Sequence, residues 1–386
     1  MLDSLLIKNF RALEHLEVPQ LGRVNLLVGK NNAGKSSVLE ALRLYAGCAQ
    51  RPLLEAIAQE HDEPWALGEA DDALPFQALF TGRQFPAVDG VRIEIGSAKD
   101  ARRKLTIEHV FLQETEGQSD NGLVVRRQII SKAQLPEALY EASPALQVVK
   151  GERTLPPMLL ATAGPRLRSF LQESGLVELC GWVPTRFIAK DELAQDWDKV
   201  ALTVDEEVFK RALRIVVPEL EDLAFVSDSD SRSASLRSSP DSRLYRSRPS
   251  RSAKVKLAGL PSPVPLSSMG DGIQRVLQLT LKLLAAKGGF LLIDEFENGL
   301  HYSVQEKLWQ LIFELSEQLD VQVFATTHSW DCIESFTKVA VARTQTEGVL
   351  LRLGRSVRTS DHGKVIATVF DEAALHNITQ TDVEVR

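Results

Sequence analysis

One segment of the sequence has residue types and spacing suited to binding a chain of phosphates. Residues 29–36, GKNNAGKS, match the pattern G-x-x-x-x-G-K-[ST] in full. Glycines let the backbone wrap closely around a phosphate, and the amide groups at the start of a following helix attract the anion. In such a loop Lys35 reaches the β- and γ-phosphates of a nucleotide, and the Ser36 hydroxyl binds Mg²⁺. The alternative, a glycine turn that only caps an ordinary helix, leaves the complete pattern unexplained.

The residues on either side of this loop predict the elements that would position it. Residues 24–28 (VNLLV) form a short apolar run, typical of a strand that is covered on both faces. Residues 37–46 place Val38, Leu42 and Tyr45 on one face of a helix. The sequence therefore predicts a strand, a glycine loop and a helix, in the order that phosphate binding requires.

Two acidic residues follow a second apolar run. Residues 290–293 (FLLI) predict a buried strand, and Asp294 and Glu295 come directly after it. In open α/β sheets ligands lie at the carboxyl ends of the strands. At such a position Asp294 would hold the water shell of Mg²⁺, and Glu295 would orient an attacking water or accept its proton. Alone, the pair also fits two solvated acids at the start of a loop.

A histidine follows the next predicted strand, residues 321–325 (VQVFA). His328, after Thr326 and Thr327, is placed to donate a hydrogen bond to a γ-phosphate. The alternative is a histidine of a surface loop. A second histidine, His301, is equally compatible with a loop cap and with a contact across a dimer.

A serine and glycine segment, residues 266–272 (LSSMGDG), precedes a strongly apolar predicted helix at 273–286. Ser268 and Gly270 supply a hydroxyl and a backbone amide at a helix start, which is a second device for binding an anion. One nucleotide cannot easily use both devices within one subunit. The pattern therefore favours a two-fold dimer in which each serine segment covers the nucleotide of the other subunit. An ordinary N-capping serine is the simpler alternative.

Taken together, these motifs resemble the ABC-type ATPase heads of the RecF, SMC and OLD (overcoming lysogenization defect) group. Lys35 and Asp294 are 259 residues apart, whereas phosphate-loop folds with short insertions bring their acid much sooner. The details favour OLD-like ATPases, over roughly residues 1–47 and 185–345. The segments that carry the resemblance are LLIKNFRAL, GKNNAGKSS, PLSSMGDGIQR, LLIDEFENGLHYSVQ and FATTHSWDCI.

The resemblance implies an α/β fold: an ABC-type ATPase head with a mixed sheet that carries the phosphate loop, an antiparallel β subdomain and a helical insertion. It implies Mg²⁺-dependent hydrolysis of ATP, with Lys35, Glu295 and His328 as catalytic residues. Ser36 and Asp294 would bind the metal. The residues implied to bind the nucleotide are Gly29, Lys30, Asn31, Asn32, Ala33, Gly34, Lys35, Ser36 and Ser37, with Ser268 and Gly270 acting from a second subunit. Gln84 is a weak candidate for the glutamine that other ABC ATPases place at the metal.

OLD proteins usually carry a C-terminal TOPRIM nuclease domain. Only 58 residues follow His328, too few for such a domain, and Asp228-Ser229-Asp230 fits an Asx-rich turn. The resemblance therefore implies an ATPase that forms homodimers or higher oligomers and works with a separate effector, a nuclease or a toxin, in antiviral defence. Two alternatives remain: a RecF-like DNA repair ATPase, and a scaffold that binds ATP and holds an effector inactive.

Other segments complete the predicted organisation. Strands are expected at 2–7, 91–95, 104–112 and 123–130, helical stretches within 131–180, and helices at 203–217 and 302–318; residues 337–342 and 348–353 suggest a closing hairpin. In the 203–217 helix, Thr203 and Glu206 fit a capping box, and Val204 belongs to the apolar face. The predicted domains are an N-terminal lobe (1–130), a helical insertion (131–226), a Ser/Arg-rich region (227–260) and a C-terminal lobe (261–386).

The Ser/Arg-rich region is strongly basic. Residues 231–256 have a net charge of +7 in a chain whose total is −7. Its arginines would bind DNA phosphates, or the segment is a solvated loop that joins two strands.

Composition limits the class of protein. With 44% hydrophobic and 25% charged residues, the chain is neither fibrous nor wholly disordered, and its acidic balance excludes a uniformly basic nucleic-acid coat. Three widely spaced cysteines suit a reducing compartment. The N-terminus does not fit a signal peptide, and the sequence has no apolar run of about 18 residues, so we expect a cytoplasmic protein without a membrane span.

Overall fold

The computed structural model describes residues 1–65, 74–119, 122–135, 142–161, 175–227, 251–343, 346–356 and 363–370. By its internal contacts the chain forms two units. The first unit comprises Met1–Leu179 and Val349–Asp371, and the second comprises Cys180–Gly348. Most of the Ser/Arg-rich region, including the Asp228-Ser229-Asp230 motif and the arginines before Arg251, lies outside the described residues.

The first unit contains an antiparallel sheet. Its strands are β1 (Leu5–Phe10), β2 (Leu13–Val18), β4 (Arg92–Gly96), β5 (Lys104–Ser119), β6 (Gly122–Ile130), β7 (Ala142–Lys150), β8 (Arg153–Thr154) and β9 (Met158–Leu159). The order is β2-β1-β4-β5-β7-β8, with β6 also paired to β5 and β9 to β7. The sheet confirms the antiparallel β subdomain. Residues 142–161, within the range 131–180 that was expected to include helical stretches, form β7, β8 and β9 instead, whereas residues 132–134 form a short helical turn.

The phosphate-loop elements belong to the same unit. Strand β3 (Val24–Val28) is buried at every residue, and helix α1 (Lys35–Ala46) follows the loop; α2 (Arg51–Glu60) comes next along the chain. Strand β16 (Gly348–Arg355) neighbours β3 and pairs antiparallel with β17 (Val365–Phe370). The predicted strand, loop and helix are therefore confirmed, and a hairpin from the far end of the sequence lies beside them.

The second unit combines a parallel sheet with helices. Strands β10 (Cys180–Val183), β14 (Phe290–Ile293) and β15 (Gln322–Thr326) are parallel and adjacent in that order. Its helices are α3 (Lys190–Val200), α4 (Asp205–Leu213), α5 (Asp271–Ala285), α6 (Tyr302–Gln318) and α7 (Trp330–Ala342), and a small antiparallel sheet is formed by β11 (Leu220–Ser227), β12 (Arg251–Leu257) and β13 (Val264–Pro265). Because β10, β14 and β15 run parallel, the residues that follow them emerge at one edge of the sheet.

Three expectations from the sequence are wrong here: a strand at 337–342, Val204 on an apolar helix face, and a capping box of Thr203 and Glu206. Residues 337–342 are not a strand but the end of α7, in which Phe336, Val339 and Ala340 are buried with helical spacing. The closing hairpin is formed instead by β16 and β17. Val204 is 87% exposed and precedes α4, and Glu206 accepts the amide of Leu202 at 2.6 Å rather than that of Thr203, so the capping box is also incorrect.

None of the helices in the described ranges is both long enough and apolar enough to cross a membrane. The mixed α/β architecture agrees with the fold class expected from the sequence.

A buried cluster of charges fixes α1 within the first unit. Glu40, on α1, lies 2.6 Å from Nε of Arg11 and 2.6 Å from Nε2 of His61. Arg11 also binds Glu63 at 2.8 Å, and Arg83 reaches the same carboxylate at 3.2 Å. The hydrogen bond to Glu40 raises the pKa of His61 above its ordinary value, and burial opposes this effect. The imidazolium therefore stabilises the fold more than the neutral ring does.

We expect this contact to make stability depend on pH. A raised folded-state pKa means that the contribution of His61 is complete below the unfolded value of about 6.5 and is lost as the pH rises through the folded value. The difference in the free energy of unfolding between the wild type and His61→Gln should therefore be larger at about pH 6 than at about pH 8.5. Because the ring is 40% exposed, the effect should stay below about 1 kcal/mol.

Urea denaturation across this pH range measures the difference. His15→Gln, which removes an exposed imidazole from β2, is the matched control. A difference for His61→Gln that does not change with pH would show that the charge on the ring is not what stabilises α1.

Candidate functional site

The loop after β3 has a backbone shape that only glycine fits at its first position. Gly29 has φ 145°, and a Cβ added there would lie 2.3 Å from the carbonyl oxygen of Leu353 on β16. Gly34 has φ 91° and is the N-cap of α1, so no side chain occupies the helix start at that point. The two glycines of the motif are therefore required by the close approach of β16 and by the open helix start.

Lys35 lies inside this loop. Its side chain is 6% exposed, and its ammonium donates hydrogen bonds to the carbonyl oxygens of Gly29 at 2.7 Å and Lys30 at 3.1 Å. The charge is thus held at the centre of the loop. This is the position from which it can neutralise a bound phosphate.

The other predicted loop residues surround that charge. Lys30, Asn31, Asn32 and Ser36 are exposed, Gly34 and Ser37 are intermediate, and Ala33 is buried. Asn32 takes a left-handed conformation with φ 61°, which asparagine tolerates better than most residues. The structure thus places residues 29–34 in the loop and Lys35, Ser36 and Ser37 in the first turn of α1.

The acidic pair lies at the edge of the parallel sheet in the second unit. The Asp294 carboxylate accepts hydrogen bonds from the hydroxyls of Thr326 at 2.7 Å and Thr185 at 3.2 Å. These two threonines end β15 and follow β10, the strands on either side of β14. Sequence reasoning did not single out Thr185, whose only signal is its position after a strand that pairs with β14.

Glu295 adopts an unusual backbone conformation. Its φ is 49°, and its amide donates to the Thr326 hydroxyl at 2.8 Å. Non-glycine residues in the left-handed region concentrate at functional sites, where the surrounding structure holds them in place. Nε2 of His328 lies 4.0 Å from the Glu295 carboxylate, so these two residues are neighbours in the structure.

Glu297 holds the backbone at His328. Its carboxylate accepts the backbone amide of His328 at 2.7 Å. The turn that carries Glu295 is thus tied to the turn that carries His328. Glu297 was present in the predicted acidic segment but had no assigned role.

Arg275 supports the same turn from α5. Its guanidinium donates to the carbonyl oxygens of Pro184, Asp294 and Glu295, each within 2.8 Å. The side chain is only 2% exposed, and desolvation lowers its pKa to about 10, so it remains a cation at neutral pH. One buried cation therefore holds the backbone on which both acidic side chains are mounted.

Ser268 and Gly270 occupy the exposed start of α5. The Ser268 hydroxyl donates to the carbonyl oxygen of Pro265 at 2.7 Å, and Gly270 is the N-cap with φ 91°. The segment is therefore ordered and accessible, and its predicted role in a second subunit stays a prediction. His301 caps α6, since its ring nitrogen accepts the amide of Ser303 at 3.4 Å, and Gln84 is exposed.

Ser36 carries a hydroxyl in the first unit, and Asp294 carries a carboxylate in the second unit. Mg²⁺ is commonly held by one or two protein oxygens together with water and substrate phosphates. In the described ranges no three His, Cys, Asp or Glu side chains converge on one point.

Two segments of the chain match known protein families. Residues 1–143 match the family described as "AAA ATPase domain", and residues 217–331 match "AAA domain, putative AbiEii toxin, Type IV TA system". Both segments are thus similar to AAA-type ATPase domains. The phosphate loop falls in the first match and the acidic pair in the second.

Two proteins of known sequence are also similar. An "ATP/GTP phosphatase" of Helicobacter pylori is 24% identical over 354 residues, which are 88% of this chain and 88% of that protein. An uncharacterized protein of Methanocaldococcus jannaschii is 51% identical over 45 residues, or 12% of this chain and 20% of that protein.

Solved structures with weaker likeness include two SMC heads bound to parts of ScpA. One, bound to the C-winged helix domain, has 12% identity and a TM-score of 0.49, covering 96% of this chain and 98% of that chain. The other, with an extended coiled coil and derived from Pyrococcus furiosus, has 11% identity and a TM-score of 0.48, covering 98% of each.

Removal of Arg275 should weaken the second unit substantially. Arg275→Ala leaves three inward-facing carbonyl oxygens without this donor and creates a cavity, so we expect a loss on the order of 2–4 kcal/mol in the free energy of unfolding. Chemical denaturation measures this loss.

Arg211→Ala is the matched control, because Arg211 is 52% exposed and pairs with Glu314 at the surface. It should cost less than about 1 kcal/mol. Equal effects of the two substitutions would contradict the supporting role assigned to Arg275.

Proposed function

We propose that this chain is an ATPase that binds Mg·ATP at residues 29–37 and hydrolyses it with the help of Asp294 and Glu295. The observation that carries the proposal is the phosphate loop itself. A complete motif follows a fully buried strand, and its lysine ammonium is held at the centre of the loop by two loop carbonyls. The relative named "ATP/GTP phosphatase" supports hydrolysis of a nucleoside triphosphate.

The residues of the chain divide the chemical work. Lys35 compensates the negative charge of the β- and γ-phosphates, and the backbone amides at the start of α1 bind their oxygens. Glu295 orients the attacking water and accepts its proton, while Thr326 fixes the direction of the Asp294 carboxylate. Mg²⁺, held by Ser36 and through Asp294, would neutralise charge on the phosphates. His328 donates a hydrogen bond to the γ-phosphate.

The same proposal includes dimerisation around the nucleotide. Ser268 and Gly270 are exposed at the start of a 15-residue helix, where a hydroxyl and amide groups are available to an anion on another molecule. In this scheme each subunit covers the nucleotide of its partner. Hydrolysis then loosens the assembly.

The biological role rests on the resemblance to OLD-like ATPases. We infer that the assembly controls a separate effector, a nuclease or a toxin, in antiviral defence. The family description of the second matched segment, which names a putative toxin system, supports an association with such systems.

Two substitutions separate binding from hydrolysis. Lys35→Ala should abolish ATP binding, because it removes the charge at the centre of the loop. Glu295→Gln should retain ATP and lower turnover by at least about 100-fold, since it removes the base that activates water. Calorimetric titration of ATP with Mg²⁺ measures the first effect, and phosphate release measures the second.

Glu334→Gln, which removes an exposed carboxylate of α7, is the control for Glu295→Gln and should hydrolyse ATP normally. Normal turnover by Glu295→Gln would remove this residue from its proposed role. Failure of the wild type to bind ATP would refute the function as a whole.

Dimerisation makes a separate prediction for the serine segment. Ser268→Arg places a bulky cation at the exposed start of α5, so it should prevent the ATP-dependent assembly that Glu295→Gln accumulates, while each subunit still binds ATP. Size-exclusion chromatography with light scattering, on Glu295→Gln with and without the second substitution, measures the mass.

Glu334→Arg adds the same side chain elsewhere on the second unit and should leave assembly intact. A normal ATP-bound dimer with Ser268→Arg would show that this segment does not act across subunits.

A further inference from the structure

A cavity of about 520 Å³ lies beside the phosphate loop within the first unit. Residues 30–33 of the loop form one wall. The other wall is the β16–β17 hairpin, through Arg352, Gly354, Arg355, Ile366 and Thr368, with Leu353 between them. None of these hairpin residues was identified from the sequence.

The pairing of the hairpin places four of the lining residues on one face. Arg352 pairs with Thr368, and Gly354 pairs with Ile366, so these four residues share one face of the two-stranded ribbon. Leu353 lies on the opposite face and is buried. Its carbonyl oxygen is the atom that approaches Gly29, so the hairpin and the phosphate loop are fixed against each other by direct backbone packing.

Gly354 provides the space. A Cβ added there would meet no atom within 4 Å, and the position requires no left-handed backbone. The absence of a side chain therefore leaves an open surface opposite Ile366, which is 49% exposed although it is a large apolar residue within a strand. The floor of the cavity thus has one apolar side chain beside bare backbone.

The chemistry of the wall suits a flat heterocycle attached to a sugar. Ile366 offers an apolar contact to the face of a ring, and arginine guanidinium groups stack on aromatic rings. Thr368 adds a hydroxyl that both donates and accepts hydrogen bonds. A volume of about 520 Å³ is within the range of sites for small molecules.

We propose that this cavity binds the nucleoside part of the nucleotide whose phosphates lie in the loop, with the base against Ile366 and the bare backbone of Gly354. The proposal rests on the function proposed above, because it needs phosphates at residues 29–37. It assigns the β16–β17 hairpin to nucleotide recognition. The alternative is that Arg352 and Arg355 bind additional phosphate. The experiment distinguishes nucleoside binding from phosphate binding.

The test compares ATP with inorganic tripolyphosphate, which carries the phosphates but no nucleoside. Calorimetric titrations with Mg²⁺ are made on the wild type, Gly354→Leu and Ile366→Ser. Gly354→Leu places a branched side chain in the open space at Gly354, and Ile366→Ser removes the apolar contact from an exposed position. Each should weaken ATP binding by about tenfold or more and change tripolyphosphate binding by less than about twofold.

Lys364→Ala is the matched control, since Lys364 lies on the same hairpin, 3.9 Å from Glu14, and does not line the cavity. It should bind both ligands normally, and circular dichroism verifies that each variant is folded. Unchanged ATP binding by both cavity variants overturns the proposal. An equal loss of ATP and tripolyphosphate in folded variants also overturns it, because the wall would then serve phosphate.

The proposed function has a distinct signature of failure. If the wild type binds neither ligand, the phosphate loop is inactive and both proposals are wrong. If the wild type binds both ligands and the cavity variants bind ATP as tightly as the wild type does, the phosphate loop binds nucleotide but the cavity does not bind the nucleoside.

Discussion

The first unit depends on a close approach between two backbones. The carbonyl oxygen of Leu353 occupies the space in which any side chain at Gly29 would begin, at 2.3 Å from an added Cβ. Because atoms cannot be brought closer than their contact distance, this approach fixes both the entry of the phosphate loop and the position of the β16–β17 hairpin. It also places the hairpin beside the loop, where the two together line the cavity.

In the second unit, the neighbouring elements hold two carboxylates, Asp294 and Glu295, at the end of β14. Parallel pairing brings the ends of β10, β14 and β15 to one edge, so Thr185 and Thr326 reach the Asp294 carboxylate from both sides. Arg275 binds the carbonyls of the same turn, and Glu297 binds the amide of His328. Hydrogen bonds therefore fix the backbone that carries the Asp294 and Glu295 side chains.

Local patterns in the sequence were sufficient for the elements next to the motifs. The runs VNLLV and FLLI predicted β3 and β14 with the bounds that the structure has, because a strand covered on both faces needs no alternation. Residues 337–342 were predicted incorrectly because a short stretch of valines and alanines fits a strand as well as a helix. Only the burial of Phe336, Val339 and Ala340 distinguishes the two.

The supporting residues of the site could not be predicted in the same way. Thr185 and Arg275 act on Asp294 across 109 and 19 positions of sequence, and nothing in their own neighbourhoods marks them. In the sequence Ile366 and Gly354 look like ordinary strand residues, and only the position of the hairpin beside the phosphate loop shows that they line the cavity. Such contacts are set by tertiary packing, whereas motif residues are recognisable because their chemistry restricts residue type and spacing.

The burial of Lys35 has an energetic consequence for any anion that enters the loop. Most of the water around this ammonium has already been removed during folding, so the chain rather than the ligand bears that cost. An anion oxygen that bound this ammonium would replace its hydrogen bonds to the carbonyl oxygens of Gly29 and Lys30 rather than a full hydration shell. The desolvation of the Lys35 ammonium therefore lowers the stability of the folded chain, and the same desolvation does not have to be repeated when an anion binds.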